Sequence, residues 1–220
     1  RDRHFDGDNN YVDCGNDTSL NITNAITIAM WIKTTQTDQG WMIAKFGFDN
    51  IGGYGLCIHD GKLQFTTKVG DTWDDYQSDL SINDGEWHHV ASVFNGSTKA
   101  LYIDGNLDKS KTYSGSLVSN SDPLFIGKST TEWPKPFNGI IDEASIYNRS
   151  LSAEEIQELY QSGCFGIITG NVTDKDTGQP LVNATVTANS HQTTTNSTGG
   201  YTITLPVGNY TITASKAGYY

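Results

Sequence analysis

A chain of 220 residues with a formal charge of −11 and a sequence pI near 4.6 presents an acidic surface, which repels nucleic acid and anionic membranes as partners. No stretch approaches the roughly 18 apolar residues of a spanning helix, so no membrane span is expected in this chain. The length suits one large β domain and one small one, because about 160 residues already bury roughly 70% of their unfolded surface and need neither metal nor disulfide to form a core. The first residue, Arg1 rather than Met, reads as a processed or excerpted product.

In chain order, strand signals begin at Ala25 to Lys33, where apolar residues alternate, and recur at 40–46, 54–59, 62–68, 86–94, 99–103 and 123–127. Asp60-Gly61, Asp84-Gly85, Asn95-Gly96 and Asp104-Gly105 punctuate them as hairpin or turn dipeptides, so an antiparallel β-sandwich is predicted. The stretches GDTWDDYQSD and STTEWPKPFN read as polar loops. One good helix is expected at Ser152 to Gln161, where Ser152 and Glu155 form a capping box, Ile156, Leu159 and Tyr160 supply an apolar stripe and Gly163 stops it. After Cys164 the composition shifts to Thr, Val, Ile and Gly without Trp, which places a boundary between Gly163 and Ile167 and divides the chain into 1–163 and 164–220.

Four segments then carry a resemblance. They are FDGDNNYVDCG at Phe5 to Gly15, GEWHHVASVFNGSTKALYIDG at Gly85 to Gly105, LFIGKS at Leu124 to Ser129 and FNGIIDEASIYNRSLSAEEIQELY at Phe137 to Tyr160. Together they resemble the laminin-G-like, concanavalin A-like jelly roll over Phe5 to Tyr160. The resemblance implies that the last strand pairs with the first, and that the domain is a non-catalytic module binding carbohydrate or surface ligands outside the cell. Residues Ile167 to Tyr220 are similar to the carboxypeptidase-regulatory-like family, with Gly170, Val172, Asp174, Gly178, Pro180, Leu181, Ala184 and Val186 fitting its first part, and Gly200, Tyr201, Ile203, Leu205, Gly208, Tyr210, Ile212 and Gly218 its second. That implies a small Ig-like or prealbumin-like sandwich, here without the further strand that the family adds past its Gly-Tyr. Tyr201 to Leu205 and Tyr210 to Ala214 are expected to form a hairpin. The expected fold class is therefore all-β, a jelly-roll sandwich followed by a small β-sandwich.

The jelly-roll resemblance also implies a structural Ca2+ held between the first loop and the last strand, by Asp142 with Asp6 and Asp8. Alternatively, Asp6 caps the Gly7 turn and Asp142 accepts backbone N–H bonds. Glucanases of this architecture place two carboxylates on one strand face. Asp142 with Glu143, and Asp74 with Asp75, are adjacent and so point to opposite faces, while His88 and His89 lack a Ser or Cys motif. No enzyme activity is expected. Trp73, Tyr76 and Trp133, in loop-like polar surroundings, are the candidate ligand-binding aromatics, the alternative being that they cover the ends of the core. Trp31 and Trp87 are expected in the core, Trp41 in either place, and His59, Lys45 and Lys68 are candidates for one face of the sheet.

Eight sequons, at Asn16, Asn21, Asn95, Asn148, Asn171, Asn183, Asn196 and Asn209, suit a glycosylated exterior, although the same tripeptides are ordinary turn composition. Three cysteines allow at most one intramolecular disulfide, with Cys14 and Cys164 the candidate pair and Cys57 a buried apolar residue. The leading expectation is an extracellular or cell-surface protein, an adhesive head for glycan or surface-protein ligands carried on a β-sandwich spacer. The alternative is a structural subunit of an extracellular filament, self-associated by strand exchange, in which an N-terminal segment around Arg1 to Phe5 or a neighbouring jelly roll fills the open edge of the second domain.

Overall fold

The computed structural model describes residues 3–46, 51–130, 134–163, 165–189, 191–206 and 210–219, so Trp133, Cys164 and Asn209 lie outside the described residues. Two compact units divide the chain, Arg1–Gln161 and Ser162–Tyr220. Both are built of packed β-sheets.

In the first unit the strands run in chain order as β1 (Arg3–Asp6), β2 (Val12–Asp13), β3 (Ile26–Lys33), β4 (Gly40–Lys45), β5 (Tyr54–His59), β6 (Lys62–Val69), β7 (Thr72–Ser81), β8 (Trp87–Phe94), β9 (Thr98–Ile103), β10 (Asn106–Thr112), β11 (Phe125–Ile126) and β12 (Asn138–Tyr147). They form two six-stranded antiparallel sheets, β1-β12-β3-β8-β9-β10 and β2-β11-β4-β5-β6-β7. The last strand does pair with the first, Arg3 opposite Ile141 and Asp6 opposite Asn138. Two of the Asp-Gly signals make two-residue hairpins with positive φ at both positions, Asp60 (54°) with Gly61 (71°) and Asp104 (51°) with Gly105 (76°), the backbone that matches strand twist.

Two strands depart from the sequence expectation. Residues 72–81 are a ten-residue strand rather than a loop, and 106–112 form a strand that shows no apolar alternation. Both are sheet edges, where one side of the strand meets water and the hydrophobic pattern that marks a central strand is not needed.

The core lies between the sheets. Ile26, Ile28, Met30 and Ile32 of β3 and Val90 and Phe94 of β8 pack against Leu56, Ile58, Leu63 and Phe65 of β5 and β6, all of them fully buried. Into this apolar layer β9 sends Lys99, which is 0% exposed. Its ammonium donates to the carbonyl of Phe65 at 3.1 Å, the carbonyl of Asp74 at 2.9 Å and Oδ2 of Asp74 at 2.7 Å, and it lies 4.8 Å from the ring centroid of Phe65 and 5.1 Å from that of Tyr113. Lys111 of β10 takes the other oxygen of Asp74. Burial draws Lys99 down to about 8 against the pull of Asp74, and the two lysines hold Asp74 below the usual carboxylate range against its own desolvation. Nearby, Asp108 of β10 accepts the backbone N–H groups of Asp79 and Leu80 on β7, at 2.8 and 3.2 Å. The two sheets are thus joined by charge along their β7–β10 edges. A second buried lysine, Lys45, donates to the carbonyls of Asp122 (2.7 Å) and Asn120 (3.3 Å).

The predicted helix is present as α1 (Ala153–Ser162). Glu155 N–H donates to Ser152 Oγ at 3.2 Å, Ser152 N–H donates to Glu155 Oε2 at 2.9 Å, and Arg149 grips the same carboxylate, so the capping box closes as read. Ile156, Leu159 and Tyr160 lie over the outward face of the first sheet, with Ala29, Ala91 and Val93 below. Trp31 is buried here, stacked on Tyr160 at 5.6 Å, rather than between the sheets, and Trp87 is half-buried. His89 lies in the same layer, 5.5 Å from Trp31 and 6.1 Å from Tyr160, 3% exposed and with no hydrogen-bond partner for Nδ1 among the described residues.

The second unit contains β13 (Phe165–Asn171), β14 (Thr185–Ala188), β15 (His191–Thr194), β16 (Gly200–Pro206) and β17 (Ile212–Ser215). They make a two-stranded sheet β13-β16 and a three-stranded sheet β15-β14-β17 around Val186, Ala188, Ile203 and Leu205. The expected hairpin of 201–205 with 210–214 is not formed. β16 pairs with β13 and β17 with β14, so the connection crosses from one sheet to the other, as a sandwich with apolar residues on facing sides requires.

Two outcomes are expected from this packing. Asp74→Ala leaves Lys99 buried without its carboxylate and should cost about 3 kcal/mol or more in urea unfolding, whereas Lys99→Met, which keeps volume and leaves Asp74 paired with Lys111, should cost less than half of that. Burial also pulls His89 down to about 4, so its contribution is fully present above about 6.5 and is lost as pH falls toward 4. Stability should fall by up to about 3 kcal/mol across that window, and His89→Leu should flatten this part of the pH profile of the melting temperature.

Candidate functional site

The outward face of the second sheet is built from residues that alternate with the core. Leu56 and Ile58 of β5 and Leu63 and Phe65 of β6 point inward, which turns Gly55, Cys57 and His59, then Gln64, Thr66 and Lys68, outward. Cross-strand pairing adds Gln77, Asp75 and Trp73 from β7 in the same rows, and Trp41 opposite Cys57 from β4. Gly55 has a steric reason to be glycine. A Cβ there would come within 2.8 Å of the rings of both Phe46 and Trp41, which lie across it. Trp41 meets Phe46 edge-on at 4.7 Å, and Phe46 meets Trp73 edge-on at 5.6 Å. The Lys68 ammonium stands 5.8 Å from the Trp73 ring. Trp73 Nε1 is buried and has no acceptor among the described residues.

A row of polar groups runs beside these rings. Thr66 Oγ1 donates to Asp75 Oδ1 at 2.5 Å and accepts from Gln64 Nε2 at 3.2 Å. The amide orientation that this imposes leaves Gln64 Oε1 to accept from His59 Nδ1 at 2.9 Å. Gln77 Nε2 donates to the His59 carbonyl at 3.3 Å. Gln64 and Thr66 are buried although they lie on the outward face, because these neighbours cover them. The polar row is therefore fixed in place by its own neighbours.

Of the three aromatics singled out in the sequence, Trp73 belongs to this face. Tyr76, three residues further along β7, points the other way: it pairs with Phe65, lies in the core at 8% exposed and has Lys111 4.6 Å from its ring centroid. Trp133 is outside the described residues. Likewise His59 and Lys68 share the outward face but Lys45 does not, since it faces inward beside Tyr54.

Asp6, Asp8 and Asp142 are not brought together. Asp6 Oδ1 accepts the N–H groups of Asp8, Asn9 and Asn10, which lowers its pKa and closes the loop after β1. Asp142 accepts from Glu143 N–H, in a cleft it shares with Arg3. By the ladder register it lies four residues along β12 from the partner of Asp6, roughly 13 Å away at 3.3 Å per residue. Among the described residues no group of three His, Cys, Asp or Glu side chains could hold a metal ion. The adjacent carboxylates diverge as the strand period requires, Asp74 into the ion pairs with Lys99 and Lys111 and Asp75 out to Thr66. His88 is held by Asp104 at 2.8 Å and Asp84 at 3.2 Å, which raise its pKa, while His89 is enclosed under α1. Cys14 is exposed and Cys57 buried, both as free thiols, and Cys164 is not described. The asparagines of the seven described sequons, all but Asn209, are exposed; Asn95 and Asn196 each use Oδ1 to hold their own turn.

The sequence reading missed Trp41 with Phe46 as a pair, and the Gln64–Thr66–Asp75 row. Alternation does place Gln64 and Thr66 on one face. That Gly55 seats two rings is a property of neighbouring strands and has no local signal.

Residues 6–157 match the family described as the concanavalin A-like lectin/glucanases superfamily, and residues 167–220 match the carboxypeptidase regulatory-like domain. Among curated proteins, the chain is 29% identical over 168 residues to rat "Sushi, von Willebrand factor type A, EGF and pentraxin domain-containing protein 1", covering 67% of this chain and 4% of that one. It is 54% identical over 104 residues to "Structural protein 27" of a virus (isolate Australia/Victoria), covering 46% of this chain and 19% of that protein. The chain thus spans a small part of the length of either relative. Among solved structures, it is similar in fold to the heptameric SAP-like pentraxin of Limulus polyphemus, with a TM-score of 0.56 at 15% identity, covering 72% of this chain and 81% of that one. Domains LG4-5 of the mouse laminin alpha1 chain give 0.58 at 14% identity, covering 85% and 55%. The botulinum neurotoxin serotype D binding domain gives 0.58 at 16%, covering 85% and 48%. Both matched domains are of types typical of secreted and cell-surface proteins, and no helix among the described residues is long and apolar enough to cross a membrane. The chain is thus built of two β-sandwiches, and its adjacent acids Asp74 and Asp75 are committed to structural contacts. It belongs to the concanavalin A-like lectin/glucanases superfamily through the jelly roll that makes up most of its length.

Proposed function

We propose that the jelly roll is a carbohydrate-binding adhesive head and that the outward face of its second sheet is the ligand surface, with the second unit as a spacer. The observation that carries this reading is the Trp41–Phe46–Trp73 cluster, with an indole N–H that finds no acceptor among the described residues, set beside a row of fixed donors and acceptors. A pyranose offers an apolar C–H face to the half-buried Trp73 ring and hydroxyls to the accessible members of the row, Asp75, His59 and Gln77. The laminin, pentraxin and neurotoxin-binding likenesses support a binding role through fold alone. Binding per site should be weak, because a shallow platform desolvates few groups. In a titration against an oligosaccharide array followed by NMR, Trp73→Ala should weaken the best ligand about tenfold, roughly 1.4 kcal/mol, while Tyr76→Phe, in the core, should leave it unchanged. No saccharide perturbing the Trp41 or Trp73 indole signals would overturn the reading.

A second reading, a structural subunit that assembles by strand exchange, is favoured by the 54% identity to a viral structural protein and by β13. Among the described residues β13 pairs on one side only, with β16, and exposes Ile167 to 68%. An unpaired edge of seven residues is a template for another strand. Light scattering at micromolar concentration should then show oligomers that Ile167→Lys disperses, and a stable monomer would remove this reading.

A further inference from the structure

One cation of the first unit lacks an anionic partner among the described residues, in a place where that is costly. Lys128 follows β11 and is 8% exposed, yet among the described residues its ammonium makes neither an ion pair nor a hydrogen bond. It is held instead by two rings, 3.4 Å from the centroid of Tyr11 and 4.7 Å from that of Phe125, which meet edge-on at 5.8 Å. Nearby Asp13, paired with Phe125, is turned to the N–H of Gly15 instead. Two aromatic faces offset part of the desolvation of an ammonium, but they satisfy none of its three donors. Tyr11, at 47% exposed, forms the rim of the collar.

The location gives this group a use. Phe125 stands opposite Ala44 in the ladder and Gly127 N–H donates to the Met42 carbonyl, so the next residue, Lys128, arrives level with Trp41. Ala44, Trp41 and Cys57 pack together on the outward face, so the Tyr11–Lys128–Phe125 collar continues the aromatic platform at its β11 side. We propose that Lys128 is the acid-recognition point of this face and that its ligand is a saccharide carrying a single carboxylate, an inference that rests on the carbohydrate reading given above. The carboxylate would accept from the ammonium while the sugar ring lies against the exposed Tyr11 rim of the collar. One carboxylate is the limit that charge sets: a chain of net charge −11 repels a polyanion, whereas a lone cation at short range outweighs the screened field for a single charge.

The test titrates the full chain with a glucuronic acid-terminated disaccharide, its glucose-terminated counterpart and sodium acetate. The acidic sugar is expected to bind at least about tenfold more tightly than the neutral one, with a preference that shrinks as salt is added. Lys128→Met should abolish the preference, and Lys128→Arg should restore most of it. Equal binding of both sugars to the unsubstituted chain would overturn the proposal and leave the carbohydrate reading standing, and binding of neither would remove both. Acetate competing as well as the acidic sugar would overturn the commitment to a saccharide. A preference that survives Lys128→Met in a folded variant, with an unchanged melting temperature, would place the charge contact elsewhere and overturn it too. Should Lys128→Met fail to fold, the sugar and acetate comparison in the unsubstituted chain decides.

Discussion

The first unit depends on a lysine that crosses its core. A jelly roll has to keep two sheets face to face, and apolar packing alone is indifferent to small slides of one sheet over the other. Lys99 removes that freedom: it leaves one sheet, passes the Phe65 ring and ends on three oxygens of the other, among them both the carbonyl and the carboxylate of Asp74. Because the ammonium is shut away from water, each of those oxygens has to be at hand, and the register of β6 and β7 against β9 is fixed by that demand. The sheet that carries the candidate binding face is thereby set in position by chemistry on its inner side.

The same strand shows how the two sides divide the work. On β7, Asp74 turns inward to the lysines and Asp75 turns outward to Thr66, while Tyr76 joins the core and Trp73 joins the rings. A strand period of two is enough to make one short acidic, aromatic segment serve the core and the outward face at once. The outer face needs rigidity for its polar row, and it inherits it from β6 and β7, whose inward residues are fully packed.

Much of the architecture was legible in the sequence, since its marks are local. Asp60-Gly61 and Asp104-Gly105 fix hairpins because they tolerate positive φ, Ser152 and Glu155 close a box because they are three residues apart, and the alternation in β3, β5, β6 and β8 marks the residues that line the core between the sheets. What was not legible depends on partners distant in sequence. Residues 72–81 look like a loop until Lys99 and Lys111 neutralise Asp74, 37 residues before the second of them. Asp6 and Asp142 look like a shared site until the register shows them on different parts of the β1–β12 ladder. In the second unit, 201–205 and 210–214 look like a hairpin because the sequence distance is short, and only the pairing of each with an earlier strand reveals the crossing between sheets.

Asp108 has a further consequence for how the molecule meets its own kind. By taking two N–H groups of β7, its carboxylate occupies donors that an incoming strand would need, and it puts a negative charge where that strand's carbonyl oxygens would have to approach. The clamp that seals the jelly roll thus also makes this margin a poor seed for sheet growth. Crowding would find the jelly roll inert along this border, and any polymer built by backbone ladders would have to grow from other strands.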